Sequence, residues 1–430
     1  MKTVVAYTLA PREHSLAVLR VSGPVQQAGL KLVWGNHYDD IDPGKASQAD
    51  IIVIQRDFPR YGQACRDILN RARLQGKPVV VDLDDLLLKL PDDHPDRSTH
   101  YYSGALFPLL QSLIEADAIT ASTQPLCEYL RQFNPNTWLL PNYLNDRIWK
   151  MQEPATEDKT GTAPVIIAYI GGDSHLPDLE MITPVLLTIL STYKERIVLR
   201  FHGGRPPEAL LGPSNVEWFP LNIPDYAAFA GYVQSQQCDI FIAPLADNLF
   251  NTCKSPIKYM EYSAMGVPGV YSRIPPYTHL ITHGENGFLA KTGEEWMQGI
   301  VNLIENPEIR RRMGLATQTY VRKHWLLRDH AHEWAETYEK IAATKLPAGP
   351  VHTVPTRLVV ELTQQTQDWQ ESLLAQLVDK NREVADLQAN LIEKERSINA
   401  LSEQLTALRS GFTGKLNLGI KWISSRLKNI

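Results

Sequence analysis

Cysteine is scarce in this chain of 430 residues, and the four present, Cys65, Cys127, Cys238 and Cys253, are widely scattered. They form no CxxC pair and have no histidine partner at metal-ligand spacing, which leaves reduced thiols in a cytosolic compartment as the reading. Long hydrophobic runs are missing as well. No apolar stretch reaches the ~20 residues needed to cross a bilayer. The first ten residues make a short strand-like run ended by Pro11, Arg12 and Glu13, not a basic-then-apolar leader. A cytoplasmic protein that neither spans a membrane nor leaves by that route is the expectation. The third absence is a basic excess: the formal net charge is −5, whereas a surface that tracks nucleic-acid phosphates shows as surplus Lys and Arg. No nucleic-acid partner is expected, and any basic site must be local.

What is present points to an ordinary globular protein, since apolar residues make up 43% and charged residues 21%. The length exceeds what one core usually serves, so two domains plus an appendage are expected. Short runs rich in Val and Ile alternate with helical periods, the pattern of parallel strands covered by helices on both faces. Strand candidates are Thr3 to Thr8, Asp50 to Gln55, Pro78 to Asp82, Ala118 to Ala121 and Trp138 to Leu140 in residues 1–150. A polar stretch, Met151 to Pro164, reads as a linker. A second series follows in residues 165–345: Val165 to Ile170, Ile197 to His202, Val216 to Phe219, Asp239 to Ala243 and Val267 to Tyr271, closed by a helical segment from Glu294 to Ala343. The fold class is α/β with two doubly wound, Rossmann-like domains.

Beyond a proline-containing break, Leu346 to Pro355, residues 356–408 carry a heptad seam. Leu377, Val384, Leu391, Ile398 and Leu405 fall seven apart, with Leu373, Leu387, Leu401 and Leu408 as companions. Lys380 and Lys394 interrupt two d positions, which weakens the seam and favours a low-order coiled coil with a second copy or another protein of the same pathway; a lone helix packed on its own domain is the alternative. Residues 411–430 hold Lys415, Lys421, Arg426 and Lys428 and no acid, with Leu416, Ile420, Ile423 and Leu427 at helical steps. Such a tail rests on an anionic membrane surface or caps the coiled coil.

Chemistry concentrates between Asp239 and Ala290. A buried strand ends at Pro244, a loop carries Asn251, Lys254 and Ser255, and a helix presents Lys258 and Glu261 before Gly266-Val267-Pro268. Ligands of open parallel sheets bind where strand ends and helix starts converge, which gathers these groups in one crevice. Lys254 and Lys258 can neutralise a diphosphate, helix-start amides add donors, and Glu261 can accept two hydrogen bonds from a ribose diol. The plain alternative is an i, i+3 surface pair between Lys258 and Glu261.

The run KSPIKYMEYSAMGVPGV, followed by HGENGFLA and EEW, closely resembles the nucleotide-sugar half of group-1 glycosyltransferases (glycosyltransferase family 4). AYIGG at Ala168 to Gly172, with His175 and Asp178-Leu179 beyond it, resembles the opening of that family's donor domain; ADAITAST at Ala116 to Thr123 and Leu140-Pro141-Asn142 resemble late strands of its acceptor domain. The likeness covers roughly residues 1 to 340. It implies GT-B architecture, two domains facing a cleft, and sugar transfer with retention, without metal or cofactor, from a sugar nucleotide to a glycan or lipid-linked glycan. It places the donor ribose on Glu261 and the diphosphate near Gly171 and Gly172. Two departures stand out. Cys253 occupies the place of the family's first Glu, and the usual Arg and Lys after the first donor-domain strand are replaced by GGDSHLPDLE, which offers only His175 as a cation. Lys254 and Lys258, with Arg205, then substitute for that charge.

In the first domain VVVDLDDLLLKLP puts Asp82, Asp84 and Asp85 at a strand's carboxyl end, where a carboxylate can bind or deprotonate an acceptor hydroxyl. The alternative is capping of the next helix. Similar DLDD runs occur in transferases of bacterial surface-polysaccharide clusters, which implies an O-antigen or related acceptor. His94 and Arg20 are acceptor-side candidates, and Tyr101-Tyr102 offers a ring for a sugar to stack on. The rivals are a sugar-nucleotide epimerase on the same architecture and a catalytically silent scaffold acting through its coiled coil.

Overall fold

A computed structural model of the protein describes residues 1–152, 163–343 and 354–427. It divides into two units, Met1–Thr363 and Gln364–Ile430.

The first unit contains two six-stranded sheets. In the first lie β1 (Thr3–Tyr7), β2 (Lys31–Trp34), β3 (Ile51–Gln55), β4 (Val79–Leu83), β5 (Ala118–Ala121) and β6 (Thr137–Leu139). All pairs are parallel, in the order β2-β1-β3-β4-β5-β6. Every residue of IIVIQ and VVVDL is buried, as expected of stiff β-branched side chains packed on both faces of a helix-covered sheet. β2 was not among the expected strands; KLVW is an edge strand with no buried residue.

The second sheet holds β7 (Val165–Gly171), β8 (Ile197–Gly203), β9 (Val216–Phe219), β10 (Ile240–Ala243), β11 (Gly269–Ser272) and β12 (Phe288–Ala290). It is parallel throughout, in the order β9-β8-β7-β10-β11-β12. Connections depart to opposite sides from the adjacent strands β7 and β10, so a crevice opens at their carboxyl ends.

The two lobes share cores. Phe250 and Cys253, from the loop after β10, lie buried with Leu126, Leu130 and Phe133 of the first lobe. The helix His332–Ala343 buries Trp334, Tyr338 and Ile341 among Val4, Val53 and Val80. A boundary at residue 345 therefore does not describe the structure: the last helices return to the first sheet, guided by a parallel bridge between Leu144 and Leu326. The interdomain linker expected at 151–164 lies mostly outside the described residues, as does most of the break at 346–355.

Thr356–Leu427 is one helix of 72 residues. Its first turns belong to the first unit, where Leu358 and Leu362 are fully buried and Glu361 pairs with Lys89. In the second unit the seam residues Leu377, Val384, Leu391, Ile398 and Leu405 are each at least 50% exposed. The basic tail continues this helix without a break up to Leu427. Among the described residues no helix is long and apolar enough to cross a membrane.

Candidate functional site: a glycine-floored cleft between the lobes

Where β7 and β8 end, the chain turns through Gly171-Gly172 and Gly203-Gly204. The Gly204 amide donates to Gly171 O at 2.7 Å. A Cβ on Gly203, whose φ is +110°, would sit 2.3 Å from that oxygen, and one on Gly204 2.6 Å from the Asp173 nitrogen. Only glycine allows this approach. Above the four glycines opens a cleft of about 410 Å³, walled by Gly172, His202, Gly204, Tyr226 and Glu261 and, from the first lobe, by His14.

Glu261 stands on the helix Ile257–Ala264. Trp149 Nε1 donates to the Tyr226 hydroxyl at 3.0 Å, and that hydroxyl donates to Glu261 Oε1 at 2.8 Å. Burial pushes the Glu261 carboxyl up to about 7, against the pull of Tyr226 and Lys258. One turn earlier, Lys258 Nζ donates to Ile170 O at 2.8 Å and lies 5.4 Å from the Tyr169 ring centroid. Burial brings its pKa down to about 8. No ion pair joins Lys258 to Glu261 among the described residues, so the surface-pair alternative falls: both side chains are committed inward.

Lys254 Nζ lies 4.5 Å from the centroid of Phe250. Ser255 Oγ is buried without a hydrogen-bond partner among the described residues. His175 corrects an expectation. Its Nδ1 lies 2.8 Å from Asp178 Oδ2, and burial, then Lys258 and Lys254, push its pKa down to about 4. It is a neutral ring donating to Asp178, not a spare cation. The Asn251 side-chain amide is committed within the loop: Nδ2 donates to Asp178 Oδ1 at 2.9 Å and to Ala246 O at 3.0 Å. Arg205 is exposed and pairs with Glu208 at 2.7 Å, while its backbone amide donates to Asp173. Cys253 does not stand in for a carboxylate: it is buried in the shared core, and burial pushes its thiol up to about 12.

In the first lobe the Asp run divides. Asp82 is 2% exposed and Arg20 1%. Arg20 grips both Asp82 oxygens, at 2.7 and 3.1 Å, and reaches Leu140 O and Asn142 Oδ1, while Thr120 donates to Asp82 at 2.7 Å. Arg20 thus does not face the cleft and Asp82 has no free oxygen for chemistry; the pair is a buried brace under the strand ends. Asp84 and Asp85 both pair with Arg56, at 2.5 and 3.3 Å. Burial holds the Asp84 carboxyl above the usual range against the pull of Arg56. Asp85 is also raised by burial, but Lys254 and then Arg56 outweigh it and hold the carboxyl low. Lys254 of the second lobe and Asp85 of the first therefore feel each other where the two lobes meet. His94 is not an acceptor contact: it is 6% exposed, its Nδ1 caps the helix at Asp96 N, and its ring packs edge-on against Phe250. With Thr123 donating to Cys253 O at 2.8 Å, it clamps the Asn251–Lys254 loop onto the first lobe.

Three contributors escaped the sequence reading. Arg56, buried at a strained φ of 50°, ties Asp84, Asp85 and the Tyr102 hydroxyl together. His14 lines both the main cleft and a smaller pocket of about 180 Å³ that also holds Arg56, Tyr101 and Tyr102. Tyr226 orients Glu261. Only Arg56 left a signal, a charged Arg-Asp pair directly after the buried strand IIVIQ.

Residues 179–306 match the family described as Glycosyl transferases group 1. No curated protein matches the chain. Among solved structures, Anabaena Alr3699/HepE in complex with UDP and glucose is 13% identical with a TM-score of 0.54, over 79% of this chain and 100% of that one. The sucrose-phosphate synthase of Thermosynechococcus elongatus is 13% identical with a TM-score of 0.56, over 80% of this chain and 100% of that one. TarM, 11% identical with a TM-score of 0.49, aligns over 67% of this chain, which spans 54% of that chain. The second lobe thus carries a match to the group-1 glycosyl transferase family, and the two-sheet fold is one shared with HepE and the sucrose-phosphate synthase.

Proposed function

We propose that the protein is a retaining, metal-independent glycosyltransferase that moves a hexosyl or deoxyhexosyl unit from a nucleoside-diphosphate sugar to a growing cell-surface glycan. The observation that carries this reading is the cleft itself: Glu261, held by Tyr226, shares one wall with the Gly171-Gly172 turn, and Lys258 is anchored at that turn through Ile170 O. Glu261 accepts from the ribose diol. Amides of the Gly171-Gly172 turn, Lys254 and Lys258 meet the diphosphate and stabilise the charge that develops as it departs, and stabilisation of this kind usually supplies most of the rate enhancement. The acceptor hydroxyl enters from the first lobe, on the side of Asp85, Arg56 and His14.

HepE was solved with UDP and glucose, which supports a sugar-nucleotide donor here. An O-antigen or related glycan as acceptor rests on the resemblance of the Asp82–Asp85 run. The exposed seam pairs with a second copy or a pathway partner, and the acid-free tail with Lys415 and Lys421 rests on the inner face of the cell membrane.

A second reading, a silent transferase-like scaffold, draws on Cys253 being buried where the family's first Glu stands. Release of nucleoside diphosphate from UDP-, GDP- and dTDP-sugars, with glycan acceptors present, separates the two. Turnover of one donor that Lys254→Ala lowers by about 100-fold or more supports the transferase. Binding without release favours the scaffold, and no binding of any donor sinks both accounts of the cleft.

A further inference from the structure

His202, the penultimate residue of β8, has no part in the account above, yet it lines the same cleft as Glu261. It is 1% exposed. Its ring stacks on Phe219, with centroids 5.2 Å apart and planes at 14°, and Nδ1 lies 2.9 Å from the Tyr232 hydroxyl. Nε2 is buried and has no hydrogen-bond partner among the described residues. A buried ring nitrogen is rarely left unpaired, and an orphan at a cavity wall calls for a partner from whatever fills the cavity.

The proton on this ring can be assigned. Burial, then Arg200, push His202 down to about 4, so the imidazole is neutral. Burial also keeps the Tyr232 phenol protonated. A phenol is a better donor than acceptor, so its O–H points at Nδ1. One nitrogen of a neutral imidazole accepts and the other donates, which leaves the hydrogen on Nε2. Gly204, Leu221, Ile223 and Phe229 line the same cleft, and apolar groups of this kind can lie against a flat ring.

We propose that His202 selects the base of the donor nucleotide. Its Nε2–H donates to a ring carbonyl, so bases that present an oxo group there, uracil, thymine or guanine, are accepted. Those that present an amino group, cytosine or adenine, are refused, because two donors then face each other and neither is satisfied. This rests on the donor-cleft reading above and adds to it a positioned reader of the base edge.

The test is calorimetry on the full-length protein with two matched pairs, UDP against CDP and GDP against ADP. In at least one pair the oxo nucleotide binds about tenfold or more tightly than its amino counterpart. His202→Phe keeps the stack on Phe219 and removes the N–H, and it brings that ratio to about one by weakening the oxo partner. His202→Gln, which keeps an amide N–H, retains part of the preference. Glu261→Gln weakens all four nucleotides alike and leaves the ratio in place. Equal binding of oxo and amino nucleotides by the unaltered protein overturns the proposal, and that result needs no variant to fold. So does a preference that survives in His202→Phe. Failure of every nucleotide to bind takes down the donor-cleft reading as well, whereas binding without discrimination removes base selection alone.

Discussion

At the scale of single residues, Glu261 and Lys258 are expected to give the cleft a narrow working range of pH. Glu261 is raised to about 7 and Lys258 lowered to about 8, each chiefly by burial. For Glu261 the folded protein prefers the proton, so its contribution to stability is full below its ordinary value near 4.5 and is lost as pH rises through 7. If Glu261 holds the donor ribose as proposed, binding wants the carboxylate, so affinity moves the opposite way. For a sugar nucleotide that binds, affinity rises as pH climbs through about 7 and falls again above about 8 as Lys258 loses its charge. Glu261→Gln flattens the acid limb and Lys258→Arg the alkaline one; a flat profile in the unaltered protein refutes the assignment. Braces differ from reagents in the Asp run. Asp82→Asn leaves the fully buried Arg20 without its counter-charge and costs the fold about 3 to 5 kcal/mol, read by denaturant melts. Asp85→Asn removes a carboxylate held between Arg56 and Lys254 and is expected to cut turnover while shifting the melt far less. The strand pattern made legible where Glu261 and the Gly171-Gly172 turn lie, since both line one cleft at the strand ends with Lys258 bonded beside them. The roles of Asp82 and His175 were not legible. The first is decided by Arg20, which lies 62 positions away, and the second by burial, which leaves no local trace.

Among elements, the central strands announced themselves through unbroken Val and Ile runs, whereas β2 is short, lies at an edge and has no buried side chain, so its pattern carried little. The destination of the closing helices was hidden for another reason. An amphipathic helix shows that it has an apolar face, but not which sheet that face covers, and His332–Ala343 returns to the first. The start of the long helix behaves similarly: Leu358 and Leu362 are buried in the first lobe, ahead of the seam. Truncation after Thr363 is therefore expected to leave the melting temperature of the remaining unit almost unchanged. Leu358→Ala with Leu362→Ala removes two fully buried leucines at about 2 to 5 kcal/mol each and lowers it markedly. Equal melts for the double variant and the parent would show that these turns do not hold to the lobe.

For the whole molecule, the second unit is expected to set the assembly. A helix of 72 residues rises about 1.5 Å per residue, so it is roughly 110 Å long, and its seam residues Leu377, Leu391 and Leu405 are more than half exposed. Water does not leave such a stripe bare: a narrow apolar face repeated every seven residues gains its stability from knobs set into another helix. Lys380 and Lys394 lie on that stripe, and each brings a charge to a position where an apolar side chain would pack, which weakens the pairing and limits how many helices gather around it. The full-length chain is accordingly expected to sediment as a small oligomer, and the chain ending at Thr363 as a monomer. Lys380→Leu with Lys394→Leu raises the melting temperature of the helical phase, and Leu391→Asp with Ile398→Asp dissolves the oligomer without changing nucleotide affinity in the cleft. A full-length chain that sediments as a monomer at every concentration overturns self-pairing and assigns the seam to a different protein. In that case the leucine-to-aspartate and isoleucine-to-aspartate changes still separate assembly from chemistry, because they leave every residue of the cleft in place.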